Sequence, residues 1–120
     1  MTAIGSFDIL AVLRSALEGA CGVPVMTEVP EQRPERFVSV FRSGGFRTDV
    51  RYDHSRITIW AWAESEAEAY ALINKARTAM DGLPTMYADV SATSESSTRV
   101  NNHTSGHRRY ESIWSVVATA

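Results

Sequence analysis

The stretch "RITIWAWAES", residues 56–65, alternates Ile57, Ile59, Ala61 and Ala63 with Thr58, Trp60 and Trp62, so a strand here is apolar on both faces. The pattern recurs. "RFVSVF" sets Phe37 and Phe41 opposite Val38 and Val40, and "ESIWSVVATA" sets Ile113 and Val117 opposite Trp114 and Val116. Helical spacing occupies two other stretches. Ile9, Val12, Leu13, Ala16, Leu17 and Ala20 predict a helix over residues 8–20, with Ser6 or Asp8 as N-cap and Gly22 then Pro24 as the stop. Ala69, Leu72, Ile73, Ala76 and Met80 predict a second helix. Ser65 and Glu68 open it as a capping box, and Gly82 with Pro84 closes it.

Between these landmarks, "VPVMTEVPEQRPER" carries three prolines and reads as an extended connector with a short edge strand over residues 25–28. A strand over residues 36–42 should end at the Ser43-Gly44-Gly45 turn. The polar segment "FRTDVRYDHSR" is either an extended β-ribbon or a projecting loop. Two strands, residues 86–100 and 108–119, flank the turn-forming "NNHTSGH", and the Ser/Thr-rich "SATSESST" weakens the first with a bulge or loop. This order predicts an α+β fold: a mostly antiparallel sheet of four to five strands with two helices packed on one face. At 120 residues the chain is the size of a single domain, residues 1–120.

One helical layer covers one face of the sheet, so the second apolar face needs another cover. An aromatic side chain hides about 150 to 250 Å², or about 4 to 6 kcal/mol at most when removed from water. A neighbouring subunit is the economical cover, which makes Trp60, Trp62, Trp114 and Val116 candidates for a subunit interface. The alternative is a curled sheet whose second face packs on the proline-rich connector or the long arginine-bearing segment.

Charge narrows the function classes. Twelve basic against fourteen acidic residues give a net charge of -2, which argues against a binder that neutralises many phosphates. The single cysteine, Cys21, cannot form an intramolecular disulfide and fits a reducing compartment. The first residues lack a basic n-region, and Asp8 and Arg14 interrupt their apolar run, against a signal peptide. No run is long enough to span a bilayer as a helix, and no membrane association is expected.

Candidate chemistry is sparse. Cys21 falls at the negative end of its helix, which raises a thiol pKa, and reads as a packed apolar residue. His54, His103 and His107 lack metal-ligand spacing and read as loop histidines. Ser43-Gly44-Gly45 has neither a P-loop lysine nor a following helix, and Glu64, Glu66 and Glu68 lie around a helix start, where acids serve the dipole. We therefore expect no catalytic residue, no cofactor and no metal. Arg42, Arg47, Arg51 and Arg56, with Phe46 and Tyr52 interleaved, suit phosphate and base contacts to nucleic acid or, better, a solvated ribbon or a protein-binding loop whose arginines meet carboxylates of a neighbour. Arg108 and Arg109 read as a strand entrance or rim contact.

Taken together, "GVPVMTEVPEQRPERFVSVFRSGG", "ITIWAWAESEAEAYALINKARTAM" and "RRYESIWSVVATA" resemble the tail terminator, or tail completion, proteins of long-tailed bacteriophages and prophages, especially of actinobacterial hosts. The resemblance implies a structural virion protein, not an enzyme, assembled in the bacterial host cytoplasm and located in the virion tail. It implies a ring of copies, commonly a hexamer, that ends tube polymerisation and offers a head-docking surface. Its implied partners are the tail tube protein and head-tail connector proteins, with DNA passing through the ring unread. Arg47, Arg51 and Arg56 would then contact tube, head or channel. A head-tail connector component, or a ferredoxin-like domain binding a small regulatory ligand, are the rival expectations.

Overall fold

The computed structural model describes residues 8–103 and 106–119. Its elements are α1 (Ile9–Cys21), β1 (Val25–Met26), β2 (Phe37–Thr48), β3 (Tyr52–Ala63), α2 (Glu66–Met86), β4 (Val90–Val100) and β5 (Arg108–Thr119). The five strands form one sheet in the order β1-β2-β3-β5-β4, with β1 parallel to β2 and every other pair antiparallel. This is the α+β, mostly antiparallel arrangement expected from the pattern.

Helix α1 starts where Asp8 accepts a hydrogen bond from the Ala11 N–H at 3.2 Å. It stops at Gly22, whose φ of 68° only glycine adopts cheaply. Ile9, Leu13, Leu17 and Cys21 are its buried stripe, while Ala20 is exposed. Helix α2 opens on Ser65, whose hydroxyl oxygen accepts from the Glu68 N–H at 3.2 Å and whose O–H donates to the Glu68 carboxylate at 3.1 Å. All the expected core positions of α2 are buried, joined by Leu83.

Two boundaries differ from expectation. Helix α2 does not stop at Gly82 and Pro84 but runs to Met86, so the following strand begins at Val90 rather than residue 86. Proline has no N–H to give the carbonyl four residues back. That carbonyl, of Met80, instead accepts from the Thr93 hydroxyl on β4 at 2.8 Å. Nor does Ser43-Gly44-Gly45 end β2. It is a bulge in a continuous strand, where the register shifts between Arg42 and Gly44. A Cβ at Gly45 would stand 2.2 Å from the His54 carbonyl oxygen, so the close approach of β3 requires glycine.

Of the two forms open to residues 46–56, the structure takes the ribbon. β2 and β3 pair out to Thr48 and Tyr52, around a turn in which Asp49 and Val50 have φ of 52° and 47°. A β-branched valine there is strained by about 1–2 kcal/mol. The Ser/Thr-rich β4 carries register shifts at Val90/Ala92 and Glu95/Ser97, the irregularity its composition predicts.

The core lies between helices and sheet. Pairings Val38↔Ala61, Val40↔Ile59 and Ile57↔Trp114 put these residues on one face. They form one buried cluster with Leu13, Leu17, Ile73, Met80 and Val116. Trp114 keeps its polar handle satisfied inside that cluster, its Nε1 donating to Ser112 Oγ at 2.7 Å, while Ser112 donates to Glu95 and Glu95 accepts from Arg77 at 2.8 Å. Cys21 is buried in the same cluster, and burial pushes its thiol pKa up, with Lys75 acting weakly the other way.

Candidate functional site

The reverse of the sheet carries the unusual chemistry. Register places Phe37, Ser39 and Phe41 of β2 opposite Trp62, Trp60 and Thr58 of β3, and places Arg109, Glu111 and Ile113 of β5 opposite the same three residues. The aromatic ends of β2 and β3 thus meet a strand whose outward positions at this end, Arg109 and Glu111, are charged.

Trp62 is 1% exposed, and its own chain seals it. Phe37 stacks on it at 5.1 Å between centroids, and its Nε1 donates to Ser39 Oγ at 3.0 Å. The remaining sides are closed by Arg33 of the connector, with its guanidinium 5.4 Å from the ring centroid, by Arg109 at 4.8 Å, and by His103 and His107 at 5.2 and 5.9 Å. The connector packs over the second face here, one of the two covers weighed from the sequence. The two histidines are half-buried parts of this cap, not the exposed loop groups expected. Burial, together with the charges of Arg33, Arg109 and His107, holds the His103 imidazole pKa below its ordinary value.

Trp60 is only half-buried. Arg109 lies over its ring at 4.0 Å, Phe41 meets it edge-on at 4.9 Å, and its Nε1 donates to Glu111 at 2.9 Å. Glu111 is 6% exposed and also accepts from Arg99 at 2.9 Å and Asn101 at 3.1 Å. Burial alone would raise its carboxyl pKa; the hydrogen bonds from Trp60, Arg99 and Asn101 and the Arg99 charge outweigh that and hold it below the usual range. Arg109, at the entrance of β5 as one of the two expected alternatives had it, is 9% exposed rather than a rim contact and donates to the Asn101 carbonyl at 2.7 Å.

These positions sort the sequence-derived interface candidates. Trp60 and Trp62 are neighbours on the reverse face, 6.1 Å apart. Trp114 and Val116, 2% and 0% exposed, lie on the opposite face beneath the helices. The reason is parity: β5 is set so that its even positions from Ser112 to Val116 face the helices, whereas the even positions of β3 face away. Partly open on the reverse face are Trp60, Phe41 and Ile113 and, further along it, His54 and Val117.

Arg47, Arg51 and Arg56 all lie on the β2–β3 ribbon and are exposed. Arg51 pairs with Asp49 at 2.7 Å, and Arg42 with Asp53 at 3.2 Å. Phe46, 62% exposed, stacks on His54 at 4.5 Å, bordering an open cavity of about 410 Å³ that Arg56, Ser96 and Ser115 also line. Among the described residues no group of three or more histidine, cysteine or acidic side chains is placed to hold a metal ion, and no helix is long and apolar enough to cross a membrane.

Sequence reasoning missed Arg33 and Glu111, and saw in Arg109 only a strand entrance or rim contact. The available signal was the Arg109-x-Glu111-x-Ile113 alternation, whose meaning depends on a register that residue spacing does not encode.

A profile of phage tail termination proteins matches residues 7–99. The chain belongs to that family. Tail termination proteins are structural components of the virion tail. A search of curated proteins finds no match. Among solved structures, a crystal structure from Akkermansia muciniphila is similar over 91% of this tail termination protein, at 14% identity and a TM-score of 0.48. The chain spans about half the length of that protein, 47% of it.

Proposed function

We propose that this protein caps the tail tube as a closed ring, of six copies, that ends tube polymerisation and provides the surface on which the head docks. The family match over residues 7–99 carries this reading. The fold supports it with two unlike outer surfaces, a helical layer on one side and the part-covered Trp60, Phe41 and Ile113 strip on the other. A closed ring of one chain needs such a pair, because each copy meets its two neighbours through different patches.

In this reading Trp60 stands at or beside the subunit contact. Arg47, Arg51 and Arg56 on the ribbon reach tube, head-tail connector or channel, and DNA passes without base readout. One side of the ring adds to the tube as a further tube ring would, and the other lacks the complementarity to accept another, so growth stops. The protein acts as one domain, assembles in the host cytoplasm and remains in the virion tail. Electron microscopy of the purified protein, alone and mixed with its cognate tail tubes, tests the proposal. Rings and capped tube ends of uniform length are expected. Tubes that keep growing in its presence would overturn it, and attachment to isolated heads but never to tubes would favour a connector role.

A further inference from the structure

The half of the reverse face nearer the β2–β3 turn holds a cation with no anion beside it. Across the sheet, Arg56 stands in a row with Gly44, Ser115 and Ser94. The rows on either side of it on this face run from Phe46 to Ala92 and from Phe41 to Ser97, and no acidic residue stands in any of the three. The other ribbon arginines are placed differently. Arg42 pairs with Asp53 at 3.2 Å, Arg51 pairs with Asp49 at 2.7 Å, and Arg47 lies directly opposite Asp53. None of the ion pairs among the described residues engages Arg56, which is exposed. The first acid further along the face, Glu111, already accepts from Trp60, Arg99 and Asn101.

Arg56 also borders the open cavity of about 410 Å³, and no acidic residue lines it. Phe46, stacked on His54 at 4.5 Å, gives the cavity an apolar wall that is 62% exposed. The hydroxyl residues Ser96 and Ser115 stand at its β4 and β5 side. An apolar wall, a guanidinium and hydroxyl groups around a space of this size suit a carboxylate carried next to an apolar group. A guanidinium grips a carboxylate through two parallel N–H···O bonds, and here no carboxylate of the chain competes for it. Nucleic acid is the poorer occupant. A lone unpaired cation on this half of the face neutralises too few phosphates for a chain of net charge -2 to hold DNA there.

We propose that this cavity is the docking site for an acidic segment of a protein partner, with a carboxylate of the segment on Arg56 and an adjoining apolar side chain against Phe46. The inference rests on the reading that the ribbon arginines reach a protein of the tail. It narrows that reading to Arg56 as the arginine that makes the contact and to a carboxylate as the group it meets.

Ligand-observed saturation-transfer NMR on the intact chain tests it, since that measurement works for a monomer or a ring. The probes are the acetylated dipeptide amides Glu-Leu and Gln-Leu and a ten-residue oligothymidylate. Glu-Leu should bind roughly tenfold or more tightly than Gln-Leu, and its binding should weaken as salt rises. Arg56→Gln should remove that preference, and Phe46→Ala should weaken both dipeptides; Arg14→Gln, on α1, should change neither. Circular dichroism establishes that each variant is folded, and Arg56→Lys, which keeps the charge but loses the fork, should fall between wild type and Arg56→Gln. Equal binding of the two dipeptides, no binding of either, or a Glu-Leu preference that survives Arg56→Gln would overturn the site. Arg56-dependent binding of the oligothymidylate in place of Glu-Leu would overturn it in favour of nucleic acid. The ring is tested separately: protein that binds Glu-Leu through Arg56 but never caps tubes supports this site and overturns the ring, and protein that caps tubes but binds no Glu-Leu does the reverse.

Discussion

The two faces of this sheet are covered by different physics, and at the Phe37–Trp62 end to a similar depth. On the helix side, Val40, Ile57, Ile59 and Val116 are completely buried against Leu13, Leu17 and Ile73. Apolar packing of that kind is non-directional and largely indifferent to pH. On the reverse side, Phe37 and Trp62 are as deeply buried, but beneath guanidinium, imidazole and carboxylate groups held by directed hydrogen bonds. Where charged groups close the face, over Phe37 and Trp62, it is buried and still offers orientation and a pH response. A second greasy face would have offered only area.

Removing the centre of the reverse face should have the largest effect. Trp62→Ala is expected to destabilise the fold by about 3–5 kcal/mol, as read from urea unfolding. A loss below about 1 kcal/mol would mean that Trp62 is an appendage on the sheet rather than part of its core. The next test concerns Glu111. Glu111→Ala strands the Trp60, Arg99 and Asn101 donors and should cost about 1–3 kcal/mol at neutral pH.

The sign of the pH response follows from the lowered carboxyl pKa of Glu111 in the folded state. A group whose folded value lies below its unfolded value contributes stability that is complete above the unfolded value, near pH 4.5, and is lost as pH falls through the folded one. Wild type should therefore lose more stability on acidification than Glu111→Gln, with the two unfolding midpoints converging toward low pH. Parallel curves would remove Glu111 as the pH-sensitive element of the reverse face. The smallest effect belongs to the helix side, where Ile73→Val should cost about 0.5–1.5 kcal/mol by the same amount at neutral and acid pH. A pH-dependent loss at Ile73 would erase the distinction between the faces.

Much of this fold was legible along the chain because its signals are local. The Ser65 cap, the Gly22 stop and the α2 stripe are each set by residues within a turn or two of one another. Pro84 misled for a local reason with a distant remedy. Its missing N–H is a sound stop signal until Thr93, on another strand, satisfies the stranded Met80 carbonyl. The Ser43-Gly44-Gly45 bulge is similar, since glycine marks both turns and close strand approach, and only the position of His54 tells which.

By itself, then, the sequence determined which residues alternate, where helices begin, and that β3 would be apolar on both sides, because periodicity and capping act over a few residues. The tertiary structure alone decided what lies over that second side. Glu111 reaches Trp60 from 51 positions away, and Arg33 and Arg109 meet over Trp62 only after the connector and β5 have returned to the same end of the sheet. A one-residue slip in the pairing of β5 would send Arg109 and Glu111 to the helix side and bring Trp114 out. Pairing energies between strands far apart in sequence set that register, and the alternation within a single strand is the same in either register.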